Sequence, residues 1–297
     1  MKTIKNEILL LILMIAAVVF VAGYEHRLLQ TRLLVDGMVS ESVDYDAFRE
    51  LKISETSLDK AITKIKKVLK EEPELRGYPY MDPIGYLTFS MMAWDYDQLK
   101  QPVIDERTFI RGIGRVAATE QYRELYAYYR AILSDLRYFP VPCMEEADIS
   151  FGNSWNDLRT YGGNRTHEGT DIMASNNIRG YFPVISITDG VVEKKGWLEQ
   201  GGYRIGVRSE TGGYFYYAHL YSYAPGLEVG DPVIAGQLLG FMGDSGYGNE
   251  GTIGQFAVHL HLGIYVNQTN EMSVNPYWIL KILEKNRISA AGDYNPG

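Results

Sequence analysis

The sequence predicts a mainly β domain, an antiparallel β-sheet or sandwich, preceded by an N-terminal membrane helix and an α-helical segment. Three features of the 297 residues point there. An uncharged apolar run extends from Ile8 to Gly23. Apolar residues then recur at helical spacing. Glycine is unevenly divided: six of the 30 precede residue 140 and 24 follow it.

The N-terminal run is preceded by Lys2 and Lys5 and is 16 residues long. That length lies between a signal-peptide core and a short membrane span. It favours an uncleaved anchor, a single-pass cell-membrane protein with its body outside the cytoplasm. Val21-Ala22-Gly23 is an acceptable but imperfect cleavage site, and cutting there would release a secreted protein. In both cases the lysines stay inside and the remainder is exported. Residues 1–30 are thus read as cytoplasmic tip and anchor, or as a signal peptide.

Residues 31–138 read as a helical, membrane-proximal region. Leu58, Ile62, Ile65 and Leu69 share one helix face, with Ser57 as a candidate cap. A second helix is expected from Thr119 to Leu136, where Tyr122, Leu125, Tyr129 and Leu133 recur at three and four. Lys64, Lys66, Lys67 and Lys70 read as the solvated side of the first of these helices. Phe139-Pro140-Val141-Pro142 reads as a linker.

From residue 139 to 285 the texture changes to short β-rich runs between glycines: Pro183 to Ile187, Gly190 to Glu193, Tyr203 to Val207 and Gly213 to Ala218. Such runs with turn signals between them indicate antiparallel pairing. Residues 286–297 read as a flexible tail. The composition, 46% hydrophobic and 22% charged, supports a real core. A formal net charge of −8 excludes non-specific nucleic-acid binding, which needs a basic surface. The single cysteine, Cys143, forbids an intrachain disulfide and reads as a small buried or half-buried residue.

Four of the five histidines lie in the β-rich part. In the stretch 258–266, Val258, Leu260, Leu262, Ile264 and Val266 alternate with His259, His261, Gly263 and Tyr265. The apolar set must face the core, so both imidazoles project together from the other face. His167 and Asp171 stand four apart, about 13 Å on a straight strand, too far to share an ion. Gly169 between them permits a bend that draws them together. His167, Asp171 and one of the paired histidines would supply two nitrogens and a carboxylate oxygen. With a fourth position left to water, that is a catalytic zinc set. His219 ends the run from Phe215 and by itself is unremarkable, and His26 beside the apolar run is incidental.

His167-Glu168-Gly169-Thr170-Asp171, Tyr217-Ala218-His219-Leu220 and His259-Leu260-His261 occur in an order and spacing that resemble the lysostaphin or LytM-type zinc peptidases. Asp189-Gly190-Val191-Val192 and the run from Gly230 to Gly240 resemble them too, so the likeness covers about residues 140 to 280. The resemblance implies a LytM-like domain with His167, Asp171 and His261 as Zn2+ ligands. It implies His259 and His219 as the catalytic pair that does not bind metal. It further implies peptidoglycan stem peptides or cross-bridges as substrate. The segment Gly251 to Val258 departs from the family, which more often has a short threonine-glycine-proline stretch there.

Two other readings were weighed. A catalytically silent scaffold or activator of other wall hydrolases would be signalled by a missing ligand, yet all five positions are filled. A biotinyl or lipoyl carrier needs a lysine at a hairpin tip, and no lysine occurs from Gly196 to Leu280.

Overall fold

An unbroken helix, α1 (Lys2–Ser40), carries the apolar run and continues through the stretch that follows it. The computed structural model describes residues 2–161, 163–267 and 269–289. Every large apolar side chain from Ile8 to Val21 is more than half exposed, whereas Val35 and Met38 near the other end of α1 are buried. One end of α1 thus docks on the body of the protein and the other stands free.

Five helices follow: α2 (Tyr45–Arg49), α3 (Glu55–Glu71), α4 (Pro83–Ala93), α5 (Glu106–Val116) and α6 (Glu120–Leu133). Each begins at an Asp, Ser or Thr whose side chain accepts a hydrogen bond from a first-turn N–H. Such caps satisfy donors that a helix cannot pair internally. On α3 the cap is Ser54, not Ser57. Ser57 sits three residues on and answers it, its hydroxyl accepting from the Ser54 N–H in a capping box. That moves the helix start back, and the buried face becomes Ser57, Ala61, Ile65 and Val68. Of the four residues expected to share a face, Ile65 is buried while Leu58, Ile62 and Leu69 flank it half-buried. Lys64 and Lys67 both pair with Glu106 of α5. The second expected helix is α6, which ends at Leu133, with Tyr122, Leu125 and Tyr129 fully buried.

The segment Phe139 to Pro142 is not a loose linker. Phe139 and Val141 are fully buried and belong to one hydrophobic core shared by helices and sheet. Pro140 accepts from the Ile185 N–H, and Cys143 donates its backbone N–H to Ile288. Two large apolar side chains in four residues are better buried than solvated. Cys143 itself is exposed, contrary to expectation, although its own backbone is paired with the segment at Ile288 and Ser289. Ile288 and Ser289 take part in that pairing, while residues 290–297 of the expected tail lie outside the described residues.

The remainder is antiparallel β. Its strands are β1 (Ile149–Phe151), β2 (Leu158–Arg159), β3 (Arg165–Thr166), β4 (Thr170–Ala174), β5 (Pro183–Ile185), β6 (Gly190–Leu198), β7 (Gly202–Arg208), β8 (Tyr214–Tyr223), β9 (Pro232–Val233), β10 (Leu238–Met242), β11 (His259–Val266) and β12 (Met272–Val274). A closing helix, α7 (Tyr277–Leu283), follows. The main sheet runs β1-β4-β11-β8-β7-β6-β9, β10 pairs with β5 and β8, β12 pairs with β11, and β2-β3 forms a separate ribbon. Alternation sorts the faces. Ile205 and Val207 on β7, Phe215 and Tyr217 on β8, and Leu260, Leu262 and Ile264 on β11 are all fully buried. Their neighbours line the opposite face.

Two glycines of α5 test the docking of α1. A Cβ on Gly112 would stand 2.7 Å from Val35 Cγ2 and 2.7 Å from Phe89 Cζ, whereas one on Gly114 meets nothing within 4 Å. Gly112→Ala should cost about 1–3 kcal/mol through overpacking. Gly114→Ala should gain up to about 1 kcal/mol through helix propensity. Thermal unfolding of the two variants should therefore shift in opposite directions.

Candidate metal centre and catalytic cleft

The site is built on the pairing of β4 with β11, where Asp171 lies directly opposite His261 and Met173 opposite His259. Val258, Leu260 and Leu262 are buried beneath, so His259 and His261 share the outer face as their alternation requires. His167 reaches the same point because the chain breaks between β3 and β4. Gly169 is the reason it can: a Cβ there would stand 2.4 Å from His261 Cε1 and 2.6 Å from the Leu262 carbonyl oxygen.

Three atoms converge. His167 Nε2 is 2.9 Å from His261 Nδ1 and 3.1 Å from Asp171 Oδ1, and His261 Nδ1 is 3.1 Å from the same oxygen. Ligand atoms at about 2.0–2.1 Å around a tetrahedral zinc ion stand about 3.4 Å apart, so this near-equilateral triangle fits one ion. The donor chemistry also fits. His167 Nδ1 lies 2.9 Å from the Ser154 carbonyl, which can only accept. Nδ1 therefore carries the proton and Nε2 presents its lone pair inward.

Burial would raise the Asp171 pKa, but the surrounding imidazoles, His167 and His261 first, hold it well below the usual carboxylate range. It is therefore an anion. Its second oxygen accepts from Arg159 Nη2 at 2.9 Å. Arg159, on β2, orients the carboxylate and was not singled out from the sequence, where no motif marks it.

His219 arrives by an irregularity. Tyr214 and Tyr216 line the cleft while Phe215 and Tyr217 are buried, so strict alternation would send His219 into the core. Instead its φ is +61°, and Ile205↔Tyr217 is followed by Tyr203↔Leu220. Two steps on β7 thus face three on β8, a bulge that turns the imidazole back to the cleft. His219 then stacks edge-on at 4.7 Å to His259 and 4.6 Å to Phe256, centroid to centroid. Phe256 comes from the divergent segment before β11, and Tyr247 and Tyr161 extend this aromatic wall in a parallel stack at 4.2 Å.

His219 Nδ1 lies 2.8 Å from the Ser245 carbonyl and His259 Nδ1 2.7 Å from the Ala257 carbonyl. Both rings therefore carry their proton on Nδ1 and leave Nε2 as an acceptor. Burial lowers both pKa values, and for His219 the neighbouring His259 and His261 add to the effect. His259 Nε2 is 3.7 Å from Asp171 Oδ1, beside the triangle but outside it. All five residues named from the sequence line one cleft of about 910 Å³. His26 is exposed on α1, far along the chain from it.

Gly169→Ala should displace His261 and open the triangle. Competition with a chromophoric chelator should show zinc affinity reduced by about tenfold or more, the scale for disturbing a ligand's support, with an unchanged circular-dichroism spectrum.

Residues 165–276 match the profile of Peptidase family M23. The chain is 42% identical over 171 residues to the L-Ala--D-Glu endopeptidase of Bacillus subtilis. It is 32% identical over 139 residues to the glycyl-glycine endopeptidase ALE-1 of Staphylococcus capitis. These matches cover 57% and 46% of this chain, but only 51% and 34% of those proteins, so it spans about half of one curated relative and about a third of the other. A solved structure from Ruminococcus gnavus, assigned as a glycyl-glycine endopeptidase lytM, is 43% identical with a TM-score of 0.66. That likeness covers 86% of this chain and 98% of the other. With the histidine and aspartate triangle on a LytM-like sheet, the chain belongs to Peptidase family M23.

Proposed function

We propose that this protein is a zinc-dependent endopeptidase that hydrolyses peptide bonds of peptidoglycan, acting outside the cytoplasm from a membrane anchor. The observation that carries this reading is the triangle of His167 Nε2, Asp171 Oδ1 and His261 Nδ1, with edges of 2.9–3.1 Å, beside two imidazoles that stay outside it. His167, Asp171 and His261 would hold the metal. A zinc ion bound there supplies Lewis-acid polarisation of the scissile carbonyl and a more acidic attacking water.

The remaining steps belong to the chain. His259 Nε2, unprotonated and next to the triangle, takes a proton from the attacking water. The imidazolium so formed lies near the Asp171 anion, which favours it. His219 Nε2 is also an acceptor, so it first receives a hydrogen bond from the water or from the protonated tetrahedral species. It acts as an oxyanion donor only after gaining a proton. Phe256 and Tyr247 wall the cleft on one side, with Tyr161 stacked on Tyr247.

The names of the relatives suggest two substrate bonds, L-Ala–D-Glu and glycyl-glycine. The freestanding end of α1 supports the anchor. Its 35 residues from Asn6 to Ser40 contain an 18-residue window of mean hydropathy 2.6, none of it buried. A stop at Gly23 would cut within an unbroken helix.

Purified full-length protein should contain one zinc per chain. Asp171→Ala or His261→Ala should lose it, since two remaining ligands rarely hold a catalytic metal. His259→Ala and His219→Ala should keep zinc while turnover of purified peptidoglycan falls by about a hundredfold or more. Zinc content, melting temperature and fragment masses measured on the same samples check both outcomes. Full turnover in His259→Ala would remove the proposed base.

A further inference from the structure

The cleft contains a positive charge that the protein itself leaves unanswered. Arg204 lies on β7 between Tyr203 and Ile205, on the face opposite the buried Ile205 and Val207, and lines the cleft. Its Nε and Nη1 are shut off from solvent and have no hydrogen-bond partner among the described residues. None of the described carboxylates forms an ion pair with it.

The neighbouring charges show how unusual that is here. Arg208, four residues on and on the same strand face, is held by Glu193 through two nitrogens at 2.6 and 3.0 Å and donates a third to the Gly212 carbonyl. Lys194 pairs with Glu271 at 3.1 Å, and Arg159 with Asp171 at 2.9 Å. Arg165 donates its Nε to the Tyr161 carbonyl. The cleft carboxylates Glu168, Asp171 and Glu271 are each already opposite an arginine or lysine. Tyr214, Tyr216 and Tyr223 stand around Arg204. Burial raises each phenol, and the arginine charge works against that rise. The phenols thus stay neutral and cannot neutralise it.

Arg204 is half-buried, with two of its three guanidinium nitrogens out of reach of water; leaving them without a partner is costly, and the cost is relieved when an anion binds. A planar, forked donor is suited to a carboxylate. We propose that Arg204 is a specificity-determining residue that binds a carboxylate of an acidic peptide substrate. This rests on the endopeptidase reading and deepens it. Of the two bonds suggested above, the alanyl–glutamyl bond is flanked by a carboxylate and glycyl-glycine is not. Tyr216 links the two ends of the cleft, its ring 6.0 Å from that of His261 and its phenol within the reach of the Arg204 charge. A peptide across the metal site can therefore place a neighbouring residue's carboxylate at Arg204.

The test uses full-length protein and three peptides. One contains an L-Ala–D-Glu bond with free carboxylate, the second is the same peptide with that carboxylate converted to carboxamide, and the third is pentaglycine. The readout is the ratio of kcat/KM for acidic over amidated peptide, with zinc content and melting temperature on the same preparations. The wild type should favour the acidic peptide by about 10- to 100-fold, the range for a hydrogen bond to a charged group. Arg204→Gln should bring the ratio close to one, chiefly through KM. Arg204→Lys should keep part of the preference, because charge remains and the fork is lost. The melting temperature of Arg204→Gln should not fall, since the variant removes an unpaired buried charge. A wild-type ratio near one, a ratio unchanged in Arg204→Gln, or preferred cleavage of pentaglycine overturns the assignment while leaving the peptidase reading intact. Cleavage of none of the three overturns that reading as well.

Discussion

The pairing of β4 with β11 is the constraint on which the rest of the site depends. It sets Asp171 opposite His261, and register in a sheet with one buried face is not adjustable. A one-residue slip would bury both imidazoles and expose Leu260 and Leu262, which are now wholly inside. The hydrophobic core therefore fixes the geometry of the His167, Asp171 and His261 triangle as much as the polar residues do. Gly169 completes it, since only a residue without a side chain lets the β3–β4 connection pass so close to His261. Arg159 and the Ser154 carbonyl then hold the outward atoms of Asp171 and His167, so that the inward atoms point one way.

How much of this was legible in the sequence differs from residue to residue. The alternation through His259 and His261 is a local pattern, and local patterns survive folding when one face is buried. The bend at Gly169 is equally readable, because two side chains four residues apart on a strand cannot otherwise meet. His219 was not readable from periodicity, since its parity on β8 puts it on the wrong face. Only the family resemblance carried it into the site, and the bulge with φ +61° supplies the physical reason. Arg159 and Phe256 come from segments with no repeating pattern, and their roles follow from tertiary proximity alone.

The helical region is legible from its periodicity, whereas its close joining to the sheet is not. Phe139 and Val141 look like punctuation between prolines, yet they sit in a core continuous with both parts. Arg49 of α2 shows the consequence. It donates to the Ser273 carbonyl and hydroxyl at 2.9 Å on β12, and lies 3.8 Å from Glu168, the residue after His167. A connection of this kind makes the helices part of the scaffold behind the cleft rather than a separate spacer. The docking of Val35 and Met38 passes the same scaffold on to α1.

The atoms that surround the metal decide the proposed division between ligands and acid–base residues. X-ray absorption spectroscopy of the zinc-loaded full-length protein measures this directly. Four nitrogen or oxygen neighbours at about 2.0–2.1 Å, with scattering from two imidazoles, is the result expected from His167, Asp171 and His261 plus solvent. Three or four imidazoles would place His259 or His219 on the metal and contradict the division between ligands and acid–base residues.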